Sequence, residues 1–76
     1  MLNPSEKSYY QALLALKKKD YSLASDQFDK AMKSFRDDKE FNLLRETTRL
    51  LVAVKKELEE LENEDAIQIE EVFSNG

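Results

Sequence analysis

The chain has 76 residues, 41% hydrophobic and 37% charged, with one Gly, one Pro and no Cys, His or Trp. A single domain of that size buries only about 60% of the surface of its unfolded form, and with neither a disulfide nor a zinc site available, association with another chain is the brace that remains. The formal net charge of −4 is unevenly spread: residues 1–56 hold all 12 basic side chains and half of the 16 acidic ones, a balance of +4, whereas residues 57–76 are acidic only, at −8.

Asn3-Pro4-Ser5-Glu6 combines a capping Asn, a Pro suited to the first helical position and a Glu at capping-box spacing, which predicts a helix over about residues 4–18. Tyr9, Ala12, Leu13 and Leu16 form its apolar stripe, with Tyr10 and Leu14 at the edge. Lys17, Lys18 and Lys19 sit where cations favour a helix carboxyl end. Asp20 then caps a second helix whose apolar positions are Tyr21, Ala24, Phe28, Ala31 and Phe35, widened by Met32. A connection of roughly two to four residues forces the two helices into an antiparallel hairpin. Ala24 and Ala31, small residues beside the large Phe28, suit a close approach of the two backbones.

Arg36-Asp37-Asp38 interrupts the period, and Asp37 with Glu40 has capping-box spacing for a third helix from Phe41 to about Glu62. Leu44, Thr47, Leu51, Val54, Leu58 and Leu61 follow a heptad, broadened in its first half by Leu43, Leu50 and Ala53. At ~1.5 Å per residue this helix reaches about 35 Å against roughly 22 Å for each hairpin arm, so it overhangs. The narrow Leu58/Leu61 seam on that overhang is the candidate self-association site, with a two-fold axis pairing two overhangs into a dimer. Past Asn63 the heptad fails at Asp65 and Gln68. Ile67, Ile69 and Phe73 then fit a period of two, while Ile69, Val72 and Phe73 fit a helical turn. The expected organisation is an all-α, three-helix domain over residues 1–63 and an acidic tail over 64–76, either mobile or docking on its own body, a neighbouring subunit or a partner groove.

The hairpin resembles a single tetratricopeptide repeat over about residues 5–36. Tyr21, Ala24, Phe28 and Ala31 match the family's aromatic, small, bulky aromatic and small positions in the second helix, and Ala12 its small position in the first. Ser8, Gln11, Ala15 and Arg36 depart from the family pattern, and a shift of 34 residues brings Lys55, Leu58, Glu62 and Asp65 onto the four key positions, so no second repeat follows in that register. The resemblance implies a hairpin held by Tyr21, Ala24, Phe28 and Ala31, capped by the longer third helix. The same residues are also similar, more weakly, to microtubule-interacting and trafficking domains.

Function classes narrow accordingly. General acid–base work near neutral pH most often uses His, nucleophilic catalysis needs a Cys or a Ser with a base beside it, and phosphate-cradling loops need Gly. The only Gly is Gly76, no alternating Asp loop suits Ca²⁺, and neither an enzyme, a cofactor nor a metal is expected. The longest apolar run, residues 50–54, is far short of the ~20 residues that cross a bilayer, and the amino terminus lacks a leader pattern, so a soluble chain is expected, with the cytoplasm as the default location. The expected function is a non-enzymatic protein–protein interaction module that self-associates and binds a protein or peptide partner, with Tyr10, Leu14 and Leu23 as a candidate partner groove. The alternative is a nucleic-acid binder using Lys17, Lys18, Lys19, Lys30 and Lys33, with the acidic tail folding over them as an autoinhibitor.

Overall fold

The computed structural model describes the backbone of residues 3–74 and the side chains of residues 3–63. Its elements are three helices in chain order, α1 (Pro4–Lys17), α2 (Tyr21–Asp37) and α3 (Phe41–Ser74). α1 starts as its sequence demands: Asn3 is extended, and its side-chain oxygen accepts the Glu6 N–H at 2.9 Å while Pro4 opens the helix.

The two inter-helix links are built alike. At the end of α1 the Asp20 N–H donates to the Ala15 carbonyl at 2.9 Å and the Lys19 N–H to the Leu16 carbonyl at 3.0 Å, the paired bonds of a Schellman turn, with Lys19 at φ 63°. Asp20 then opens α2, its Oδ1 accepting the Leu23 N–H at 3.2 Å. At the end of α2 the Glu40 N–H donates to the Phe35 carbonyl at 2.9 Å and the Lys39 N–H to the Arg36 carbonyl at 3.1 Å, with Lys39 at φ 60°. The Glu40 carbonyl in turn accepts the Leu44 N–H at 2.9 Å, the first helical bond of α3. Asp37 is therefore the last residue of α2 and does not cap α3, because this turn takes up Asp38 and Lys39 before the chain reverses.

α2 lies in the middle and packs along both α1 and α3. Ala12, Ala15, Ala24, Phe28, Leu51 and Val54 form one buried cluster, against which Tyr9, Leu13, Leu16, Tyr21, Met32, Leu50 and Leu58 pack half-buried. Ala31 and Phe35 are buried as well. The Tyr9 ring meets Phe28 and Phe35 edge-on, with centroids 5.9 and 6.2 Å away, the geometry that the ring quadrupoles favour. Among the described residues two hydroxyl-bearing side chains are buried and both are bonded: Ser5 Oγ donates to Asp38 Oδ2 at 3.4 Å, tying the start of α1 to the end of α2, and Thr47 Oγ1 donates to the Leu43 carbonyl at 2.6 Å.

α3 carries its heptad into the core as expected at Thr47, Leu51 and Val54, but it does not stop near Glu62. It continues to Ser74, so the backbone of residues 64–74 is helix. No Gly or Pro interrupts this stretch, and its Glu, Ala and Gln residues keep their helix propensity where the heptad fails. Docking by the tail's side chains concerns positions outside the described residues. With 34 residues α3 is about 50 Å long and sets the long axis of a molecule measuring 56 × 20 × 14 Å. Among the described residues no helix is long and apolar enough to cross a membrane.

Candidate functional site

α1 and α2 present two opposite faces, because residues two apart on a helix point about 200° from each other. Leu16 and Tyr21 turn toward α3, where they line a cleft of about 200 Å³ with Leu50, Ala53, Val54 and Glu57. Leu14 and Leu23 turn the other way and, with Gln11, Ala15, Lys18, Asp20 and Gln27, line a groove of about 310 Å³. Both leucines are well exposed, Leu14 at 59% and Leu23 at 45%. Tyr10, 52% exposed, sits one turn before Leu14 and lengthens the apolar strip without lining the groove; its ring meets Tyr9 edge-on at 6.2 Å. Of the three groove residues expected from sequence, the fold thus joins Leu14 and Leu23 and leaves Tyr10 at the border.

Leu58 and Leu61 differ in environment. Leu58 is half-buried against the shared core, whereas Leu61 is 40% exposed, so the packed body ends at the first and the overhang begins at the second. Glu57, Glu59, Glu60 and Glu62 around them are all exposed. Of the hairpin residues, Ala24, Phe28 and Ala31 are wholly buried between the helices, and Tyr21 is half-buried at the cleft facing α3.

The lysines fall at two places. Lys17, Lys18 and Lys19 are exposed at the α1–α2 turn. Lys30 and Lys33 are exposed in the second half of α2, with Lys30 about 14 Å along the helix from Tyr21. Lys33 pairs with Asp29 at 3.2 Å across one helical turn. Phe28 and Phe35 are buried in the core, so those rings offer no face on which bases could stack, whereas Tyr9 packs half-buried against them. Among the described residues no cluster of acidic side chains is arranged to hold a metal ion.

Sequence reasoning missed three features. Gln11 and Gln27 complete the outer groove; their spacing from Leu14 and Leu23 (three and four residues) was the available signal. Tyr9, Glu46, Arg49 and Leu50 line a second cleft of about 340 Å³, which depends on how α1 and α3 sit across α2 and has no local signature. Phe41 and Val52 are exposed apolar residues off the heptad of α3.

The chain is thus an all-α, three-helix protein with an outward apolar groove between α1 and α2 and an α3 that runs on past the hairpin. No protein-family model, curated protein or solved structure matches it.

Proposed function

We propose that the chain is a non-enzymatic interaction module that associates with a second copy of itself and binds a protein or peptide partner through a helical surface. The observation that carries this reading is the Tyr10, Leu14 and Leu23 strip: three large exposed apolar side chains on one face, two of them lining a groove, on the side of the hairpin that α3 does not cover. Apolar surface gathered in this way on a small domain marks contact with another molecule more often than isolated exposed residues do. The overhang of α3 adds a second unpaired surface at Leu61. The resemblance of the hairpin to a tetratricopeptide repeat supports the same reading, since a single unit of that kind buries its faces against neighbours.

Sedimentation of the intact chain over a wide concentration range tests self-association. Leu14→Glu and Leu61→Glu are the informative variants because both side chains are exposed and their replacement leaves the core intact. Leu58→Glu is less clean, because Leu58 packs against the core and its loss also destabilises the fold. Each exposed-site variant is expected to be monomeric where the wild type is not. A wild type that stays monomeric at the highest concentrations overturns the self-association, and affinity capture that returns no specific protein overturns the partner half.

A further inference from the structure

The two unpaired surfaces, the groove and the overhang, differ in charge. Lys18 and Asp20 both form part of the groove wall, and Lys17 and Lys19, exposed at the α1–α2 turn beside it, give this end of the hairpin its positive balance. The overhang displays Leu61 among Glu57, Glu59, Glu60 and Glu62, and further along the sequence residues 64–76 add four more carboxylates and no cation. Pairing two overhangs about a two-fold axis sets one row of glutamates against an identical row, which is unfavourable. Setting an overhang on the groove places an exposed leucine against Leu14 and Leu23 and glutamates against lysines.

The groove that receives the overhang cannot be the chain's own. α3 runs antiparallel to α2, passes the α1–α2 turn where Glu57 shares a cleft with Leu16 and Tyr21, and continues as one helix to Ser74. The Leu14/Leu23 groove lies on the opposite face of the hairpin, and an uninterrupted helix has no bend that returns it there. Length favours a second copy: from Leu61 to Ser74 the helix extends about 20 Å, whereas the stretch of α1 from Gln11 to Lys18 covers about 10 Å.

Building on the self-association proposed above, we infer that two copies exchange their helix ends, the acidic overhang of each α3 docking on the Leu14/Leu23 groove and the Lys17–Lys19 turn of the other. The dimer then contains the same contact twice and closes on itself, as two-fold symmetry requires.

Salt dependence of the intact wild-type chain is the first test. Contacts between opposite charges are screened by salt, so dimerisation is expected to weaken as the salt concentration rises, whereas an overhang-to-overhang dimer tightens because its repulsion is relieved. The second test is charge exchange. A variant carrying Lys17→Glu, Lys18→Glu and Lys19→Glu, and another carrying Glu59→Lys, Glu60→Lys and Glu62→Lys, should each dimerise about tenfold more weakly than wild type. Mixing the two variants should restore dimerisation at wild-type strength, because in the mixed dimer both contacts again join opposite charges. Dimerisation that tightens with salt, or a lysine variant that dimerises as wild type does, overturns the exchanged arrangement while leaving self-association standing. A wild type that is monomeric at every salt concentration overturns both.

Discussion

Two lysines carry a conformation that usually belongs to glycine. Lys19 and Lys39 both have positive φ, each at the residue that lets a Schellman turn reverse the chain. For a residue with a Cβ that conformation costs roughly 1–2 kcal/mol, part of which glycine recovers and part of which it returns through its freer unfolded state. Lys39→Gly should therefore raise the unfolding free energy by about 1 kcal/mol, seen in urea titration as a higher midpoint at unchanged slope. Thr47 makes a contrasting case, being wholly buried with its hydroxyl donating to the Leu43 carbonyl at 2.6 Å within its own helix. That carbonyl keeps its helical bond from the Thr47 N–H if the hydroxyl is removed, so no buried group is orphaned. Thr47→Val should change stability by less than about 1 kcal/mol, whereas Thr47→Asp, which buries an unpaired charge, should prevent stable folding. The same denaturation measurement separates the two outcomes.

Among the elements, α2 has the greatest structural responsibility, since it alone packs along both other helices. Phe28 is its centre, at 0% exposure and in contact with the Tyr9 ring. Phe28→Ala should cost about 3–5 kcal/mol, a large share of the stability of so small a domain, and is expected to melt all three helices together when followed by circular dichroism. Asp20 serves two elements at once, its backbone N–H closing α1 and its side chain opening α2. Asp20→Ala keeps the backbone bond and loses the cap, for a loss of about 1 kcal/mol. Much of this was legible in the sequence, because caps and apolar periods are local: Asn3, Asp20 and the stripe from Tyr21 to Phe35 each announce their structure within a turn or two. The end of α3 was not legible from its heptad. A heptad reports where a helix is covered, not where its backbone stops, and α3 continues past Leu61, the last heptad leucine, to Ser74.

Across the whole molecule, the body and the overhang separate energetically. Among the described residues the last core residue on α3 is Val54, with Leu58 half-buried beyond it, so a chain ending at Asn63 should retain cooperative unfolding and lose less than about 1 kcal/mol of stability. It should lose helical signal in proportion to the residues removed. If the exchanged arrangement proposed above holds, the shortened chain should also dimerise more weakly, because residues 64–76 bring four further carboxylates to the contact. Sedimentation and circular dichroism on the same sample check all three expectations.

The sequence by itself determined the three helices, the caps that open α1 and α2 and the apolar face of each hairpin helix and of the first half of α3, because capping and helical periodicity act over a few residues. It also determined the charge division between a basic body and an acidic end, which is a matter of composition. Only the tertiary structure decided that Leu14 and Leu23 meet across a groove while Leu16 and Tyr21 face α3, since that depends on the rotation of two helices about their axes. It alone decided that Leu58 belongs to the body and Leu61 to the overhang, for burial at a heptad position depends on whether another helix is still alongside, and the α1–α2 turn lies at that level.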